Sequence, residues 1–176
     1  MAMRIESLEV RNYRLFRDVK FTKLSPLTVV VGANGTGKST LFDVFSFLRD
    51  ALTQNVAAAV SKRGGFNELM SRGQSGTIGI VVKFRESTGR LVTYSLNIGL
   101  DTSGRAIVEQ EILSYKRGSY GRPWRFVDFT RGKGTAITNE AAYAPGVKEE
   151  RADHTLDDPA LLAIKGLGQF RQFRVV

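Results

Sequence analysis

The stretch that decides the fold of this 176-residue chain is LTVVVGANGTGKSTLFDVF, residues 27–45. Leu27 to Val31 is an apolar run rich in β-branched residues, which predicts a strand buried on both faces, as in a parallel sheet under helices. From Leu41 the apolar residues recur at steps of three and four, which predicts an amphipathic helix ending near Ser61. The residues on this apolar stripe are Leu41, Val44, Phe45, Leu48, Leu52 and Val56.

Between the predicted strand and helix lies a glycine-rich loop that fits the pattern G-x-x-x-x-G-K-[ST] over residues 32–39. Its glycines allow a turn tight enough for successive backbone N–H groups to face phosphate oxygens. They are Gly32, Gly35 and Gly37. The unpaired N–H groups at the start of the helix favour an anion at the same point. The alternative is a glycine-rich turn that merely caps a helix.

The polar residues of this loop have the chemistry of a nucleotide–magnesium site. Lys38 can reach the β- and γ-phosphates, the Ser39 hydroxyl can bind Mg²⁺, and Thr40 can donate to the α-phosphate. Thr36 belongs to the same loop. We therefore expect Mg²⁺ and a nucleotide to bind here.

Strand patterns dominate the rest of the chain. Residues 4–16 alternate apolar and charged side chains, which predicts a strand with one face buried, and a second strand is expected near Val19–Phe21. Period-two patterns then predict four strands, broken by the hairpin-like sequences STG and DTSG. Their ranges are 77–84, 90–100, 106–117 and 124–130.

These patterns predict one domain with four parts. Strands, loop and helix occupy 1–62, a loop with at most one helical turn occupies 63–76, and an antiparallel β subdomain occupies 77–130. Residues 131–176 are expected to be irregular except for a short helix. In that helix Asp158 is the predicted N-cap, Pro159 the first residue and Gly168 the stop signal.

Composition limits the function classes. The chain has no cysteine and one histidine, which excludes thiolate chemistry and disfavours a histidine-rich metal site. It has no apolar run long enough to span a membrane and no signal-peptide pattern, so a cytoplasmic location is expected. The net charge of +9 favours an anionic partner such as a nucleotide or nucleic acid.

A second feature bears on nucleic acid. Aromatic and basic residues alternate between Tyr115 and Arg125, which is typical of a nucleic-acid surface but also of a strand pair with buried aromatics. They are Tyr115, Lys116, Arg117, Tyr120, Arg122, Trp124 and Arg125.

Three segments resemble the N-terminal half of an ABC-class ATPase head of the SMC, RecF and overcoming-lysogenization-defect (OLD) group. They are IESLEVRNYRLFRDV at 5–19, LTVVVG at 27–32 and the glycine-rich loop. FLRDAL and RGGFNELMSRG are similar to the "predicted ATPase" proteins labelled AAA_21. The resemblance covers residues 3–73 in sequence and 77–130 in architecture. It implies an α/β P-loop NTPase fold in which an antiparallel β subdomain follows the loop helix.

The resemblance also implies ATP as the nucleotide and roles for two further residues. Arg14 corresponds to the family arginine near the nucleotide phosphates; alternatively it is a strand-edge arginine in water. Asn34 matches the asparagine that approaches the γ-phosphate or the attacking water; it also suits turn geometry. The implied setting is DNA repair, defence or another DNA transaction, with DNA as a candidate partner.

A complete head of this group also has an LSGGQ-like motif, a Walker B strand ending in Asp-Glu and a switch histidine. Here Trp124–Asp128 is followed by Phe129, which cannot polarise water, so an ordinary strand is expected. Residues 71–76, SRGQSG, are expected to be loop, and His154 a surface residue. Gln110 and Gln169 are poor matches to a magnesium-binding glutamine.

We therefore expect half of an ATPase. It should bind Mg–ATP but hydrolyse it only with a C-terminal half or a second head as partner. Whether a longer protein, a separate chain or neither supplies that half stays open. The alternative is a non-catalytic regulatory or interaction module that binds protein or DNA. A P-loop kinase is a weaker third option, since no acidic strand end follows the loop.

Overall fold

One antiparallel sheet carries the fold. The structure is a computed structural model that describes residues 3–87, 89–115, 123–137 and 151–166. In this part of the chain the sheet has eight strands in the order β2-β1-β3-β4-β5-β6-β7-β8, and all neighbours are antiparallel. The strands are β1 (Arg4–Tyr13), β2 (Phe16–Thr22), β3 (Ile78–Arg85), β4 (Leu91–Leu100), β5 (Ala106–Tyr115), β6 (Trp124–Thr130), β7 (Lys133–Ile137) and β8 (Arg151–Thr155).

Four helices lie within the same described ranges. They are α1 (Lys38–Thr53), α2 (Val56–Ser61), α3 (Phe66–Leu69) and α4 (Ala163–Gly166). The core joins the apolar stripe of α1 to the buried sides of the strands, and its largest fully buried aromatic residues are Tyr13, Phe47, Phe126 and Phe129. Of these helices, none has the length and apolar character that a bilayer crossing requires.

The four strands predicted from period-two patterns are confirmed as β3 to β6, with residues 116 and 117 of the third lying outside the described residues. The strand predicted over residues 4–16 ends at Tyr13, and Phe16 begins β2. Leu8 of β1 lies opposite Val82 of β3, and Val10 lies opposite Ile80, so their apolar side chains share one buried face. Because β1 pairs with β3, the N-terminal hairpin and the four following strands form one continuous sheet. The N-terminal strand β1 therefore lies beside β3, the strand that follows α1, α2 and α3 in the chain.

The strand predicted at Leu27–Val31 is wrong for this structure. Residues 24, 25 and 28–33 have no regular secondary structure, and Leu27, Val29 and Val31 are 82%, 75% and 87% exposed. An apolar run forms a buried strand only where neighbouring strands complete its hydrogen bonds and cover its faces. None of the eight strands pairs with this segment, so the parallel sheet expected around it is not formed by the described residues.

The single helix predicted up to Ser61 is divided in two. Asn55 has an extended backbone, with φ −164°, and its Oδ1 accepts a hydrogen bond of 2.8 Å from the Ala58 N–H. It therefore begins α2 as an N-cap, a role in which asparagine is preferred. The predicted end near Ser61 is confirmed, and so is the single helical turn within 63–76, which is α3.

Residues 131–155, expected to be irregular, contain β7 and β8. Their polar composition does not have the alternating pattern that predicts strands. Gly134 allows β7 to approach β6 closely, since a Cβ there would collide with the Asp128 carbonyl. Residues 138–150 lie outside the described residues. The predicted C-terminal helix begins later than expected: Asp158 Oδ1 accepts from the Ala160 N–H at 2.9 Å, but α4 begins only at Ala163. Gly168 and Gln169 also lie outside the described residues.

Candidate nucleotide-binding site

The glycine-rich loop leads directly into α1 through left-handed backbone. Gly35 has φ +84°, and Gly37, the residue before α1, has φ +97°. A side chain at Gly37 would also meet the ring of Phe16, because an added Cβ would lie 2.7 Å from a ring carbon. Glycine is therefore required at Gly37 both for conformation and for space.

Lys38 folds over its own loop. Its Nζ donates to the Gly32 carbonyl at 2.5 Å and to the Ala33 carbonyl at 2.6 Å. Thr36 Oγ1 also donates to the Ala33 carbonyl, at 2.9 Å. A lysine ammonium has three donors, so these two bonds fix Nζ at the mouth of the loop and leave one donor for a phosphate oxygen.

The start of α1 suits an anion with its bound cation. The first turn of α1 carries no acidic side chain, so nothing offsets the positive end of the helix dipole. The Ser39 side chain is exposed, as a group that binds Mg²⁺ on a nucleotide must be. Thr40 is 5% exposed and Asn34 lies in an exposed turn. The residues present therefore fit a nucleotide with Mg²⁺, and the individual roles of Asn34 and Thr40 stay predictions.

Arg14 lies against α1. It occupies the turn between β1 and β2 with φ +49°, and its backbone N–H donates to the Leu69 carbonyl at 2.6 Å. Its Nε lies 3.2 Å from Asp43 Oδ2, the carboxylate that also accepts from Tyr13 at 2.8 Å. Arg14 is therefore exposed, as the strand-edge alternative expects, but it is also paired with Asp43, and a contact between Arg14 and the nucleotide stays a prediction.

Asp43 belongs to a largely buried charge network that the sequence did not predict. Arg63 donates to Asp43 at 2.9 Å and to Asp50 at 2.9 Å, and its guanidinium lies 5.3 Å from the centre of the Phe47 ring. Hydrogen bonds from Arg63 and Lys62 lower the pKa of Asp50. Burial, with the Asp43 carboxylate, raises the pKa of Tyr13 above its usual range. The spacing of Asp43 and Asp50, two turns apart on one helix face, was the available signal.

Of the aromatic residues proposed for a nucleic-acid surface, Tyr115 belongs to the core and Trp124 packs against it. Tyr115 stacks on Phe126 with ring centres 4.0 Å apart, and both are buried. Arg90 lies over the Tyr115 ring, 4.3 Å from its centre. Trp124 begins β6 and is half-buried. Lys116, Arg117, Tyr120 and Arg122 lie outside the described residues.

Residues 124–128 form part of β6, which confirms the prediction that they are an ordinary strand. Asp128 is paired with Arg125 at 2.7 Å, and Phe129, which follows it, is 1% exposed. Gln110 lies inside β5 opposite Thr130, and residues 71–76 contain no helix or strand. Across the described ranges no three His, Asp or Glu side chains gather as a metal site would require.

His154 is not the surface residue that was expected. It lies in β8 opposite Gly134 of β7, half-buried, with its Nε2 fully covered. The polar residues around it concealed the strand. It lies at the opposite end of the strand order from β1 and β2, the hairpin against which the glycine-rich loop packs.

Comparison with known proteins assigns the chain to a family. A solved SMC ATPase, from work on ATP-driven dimerization and DNA-stimulated activation, is 18% identical, with a TM-score of 0.43 over 68% of this chain and 71% of that chain. No curated protein matches the sequence. The family model described as "AAA ATPase domain" matches residues 3–154, which include the loop, its helix and the sheet. The chain therefore belongs to the AAA ATPase domain family.

Proposed function

We propose that this chain binds Mg–ATP through residues 32–40. We further propose that it is the nucleotide-binding half of an SMC-, RecF- or OLD-like ATPase. Such an ATPase would act in DNA repair, defence or another DNA transaction. Membership of the AAA ATPase domain family supports an ATP-binding module. The observation that carries the proposal is the position of Lys38. Its Nζ is held by two loop carbonyls at the N-terminus of a helix whose first turn lacks acidic residues.

Each loop residue has a part in this proposal. The loop N–H groups and the start of α1 bind the phosphate oxygens, and Lys38 supplies a positive charge to the β- and γ-phosphates. Ser39 holds Mg²⁺, which neutralises charge on the same phosphates. Arg14 would have to exchange Asp43 for a phosphate to contribute. The loop contacts phosphates and not the base, so the preference for ATP comes from the family.

Hydrolysis is proposed to need residues from a second half. Phosphoryl transfer to water requires a group that positions or polarises the water. Phe129, which follows Asp128 at the end of β6, is apolar and buried, and Asp128 is paired with Arg125. Neither supports a catalytic acid at this strand, so we assign that role to the partner half.

The exposed segment Leu27–Val31 is the proposed contact with that half. It adjoins a groove of about 630 Å³ that Val30, Leu41 and Phe42 help to line. A strand of the partner half that paired with this segment would complete its hydrogen bonds and cover Leu27, Val29 and Val31. Since Val31 directly precedes Gly32, such pairing would also fix the start of the nucleotide loop.

Calorimetry of Mg–ATP binding to the chain tests the first part of the proposal. We expect binding that requires Mg²⁺ and is lost in Lys38→Ala, while Lys133→Ala, an exposed lysine on β7, binds as the parent does. Equal binding by Lys38→Ala would show that the phosphate role is wrong.

A hydrolysis assay tests the second part. The chain alone should show no turnover above the Lys38→Ala control, because loss of a general base typically costs a factor of about 10² to 10⁴. Turnover that appears only when the partner half is added supports the split ATPase. Stable binding of that half with no turnover would favour the alternative, a regulatory module.

A further inference from the structure

Three arginines converge beside the β1–β2 turn, and two of them, Arg17 and Arg72, have no part in the proposed nucleotide site. They line a cavity of about 570 Å³, together with two apolar residues and one carboxylate. The lining residues are Arg14, Leu15, Arg17, Glu68, Met70 and Arg72. Arg14 is engaged through Nε with Asp43, whereas Arg17 and Arg72 are exposed and form no ion pair with any residue of the described ranges.

The backbone that carries these arginines is fixed by several hydrogen bonds. The Arg14 N–H donates to the Leu69 carbonyl, and the Ser71 N–H donates to the Asn12 carbonyl at 3.3 Å. The Ser71 hydroxyl, which is buried, donates to the Phe16 carbonyl at 3.1 Å. Arg17 follows Phe16 and Arg72 follows Ser71, so both arginines extend from residues that are joined directly to each other.

Such a cluster has a physical cost in the absence of an anion. Three guanidinium groups around one cavity repel one another; Asp43 pairs with Arg14, and Glu68 is the one carboxylate among the lining residues. Guanidinium groups bind phosphate oxygens in pairs, and they are less strongly hydrated than ammonium groups. Charges held on a preformed backbone also lose little freedom when they bind a partner. The arrangement therefore suits repeated phosphates along a chain.

We infer that Arg14, Arg17 and Arg72 form a binding site for the phosphodiester backbone of a nucleic acid. The site is separate from the phosphate-binding loop but adjoins it through Phe16, whose ring lies against Gly37 and whose carbonyl accepts from Ser71. The inference gives residues to the DNA partner in the proposed function, and rests on that function for the choice of nucleic acid over another polyanion. It does not require the nucleotide to be bound.

Fluorescence anisotropy with a labelled 20-base-pair DNA duplex tests the site in the full chain. The double variant Arg17→Ala/Arg72→Ala should bind about tenfold or more weakly in low salt, and the slope of log affinity against log salt should fall by about two. The matched control, Lys83→Ala/Lys133→Ala, removes two charges from other strands of the sheet and should change affinity less than threefold. Arg14 is left intact because it also pairs with Asp43.

Three further measurements separate the outcomes. Lys38→Ala should retain DNA binding, and Arg17→Ala/Arg72→Ala should retain Mg–ATP binding, so that failure of one proposal does not imply failure of the other. Equal losses in the two double variants, or no DNA binding by the parent chain, would overturn the inference. Displacement of the duplex by poly-glutamate as effectively as by unlabelled DNA would assign the site to an acidic protein and also overturn it.

Discussion

Arg63 Nη1 lies 2.9 Å from Asp50 Oδ2, and this ion pair joins the turn that follows α2 to α1. The two side chains are 6% and 9% exposed. Burial alone would lower the pKa of Arg63, but its hydrogen bonds to Asp50 and Asp43 outweigh this effect and raise it. The same arginine, through Asp43, holds Arg14 beside the helix that carries Lys38.

Replacing Arg63 should therefore destabilise the chain strongly. Arg63→Ala leaves two carboxylates without their buried partner, and such losses cost about 3 to 5 kcal/mol. Lys62→Ala is the matched control, since Lys62 also contacts Asp50 but is exposed, and its loss should cost about 1 kcal/mol or less. Urea denaturation measures both. Similar values for the two variants would contradict the importance of the buried pair.

A second prediction concerns Gly37 and Gly35. Gly37→Ala should lower stability by about 2 to 4 kcal/mol and abolish Mg–ATP binding, because both the positive φ and the Phe16 ring oppose a side chain there. Gly35→Ala meets no atom within 4 Å, so only the φ of +84° opposes it. Its cost should be about 1 kcal/mol. Thermal denaturation measures the stability of both variants, and calorimetry measures their Mg–ATP binding. Equal losses of stability in the two variants would contradict the prediction.

Glu111 should make stability depend on pH. It is fully buried in β5, where it accepts from Tyr94 at 2.9 Å and from the Ala163 N–H of α4. Burial raises its pKa from 4.5 to about 7. Between these two pH values the folded chain keeps a proton on Glu111 that the unfolded chain has lost. The contribution of Glu111 to folding stability is therefore complete below pH 4.5 and is lost as the pH rises through 7. The total change is about 3 kcal/mol.

Urea denaturation between pH 5 and pH 8 measures this effect. Glu111→Gln cannot ionise and should abolish most of the decline in stability between those values. Glu109→Gln, on the same strand but paired with Arg131, should leave the decline unchanged. A parent chain whose stability is constant over this range would show that Glu111 ionises normally.

The exposed apolar segment gives a further prediction. Leu27→Ser/Val29→Ser should change the stability of the isolated chain by less than about 0.5 kcal/mol for each substitution, because neither side chain is buried. Val10→Ser, at a fully buried position of β1, should cost more than about 2 kcal/mol. If the partner half binds as proposed, the Leu27/Val29 variant should lose that binding, measured by co-purification. A large loss of stability in the isolated variant would instead show that the segment is packed in the chain alone.

The sequence by itself determined the local features. The glycine-rich loop and the start of the helix that follows it depend on backbone conformations and side-chain spacing within a few residues, and both appear where expected, although Asn55 divides the predicted helix in two. The four period-two strands and their hairpin turns are likewise local, since alternation sets which side chains face the core. Phe129 could also be recognised from the sequence as a residue that cannot act as a catalytic acid, because its side chain has no ionisable group.

Only the tertiary structure decided the features that depend on distant partners. Leu27–Val31 has the composition of a buried strand, but a strand needs neighbours for its backbone groups, and the described part of the chain provides none. Polar β7 and β8 form because β6 is adjacent and Gly134 lets the backbones approach. Glu111 and Tyr94 are 17 residues apart, and Arg63 lies 20 residues from Asp43. Contacts over such separations exist only once the sheet and α1 have packed, because no local pattern specifies which charges become neighbours.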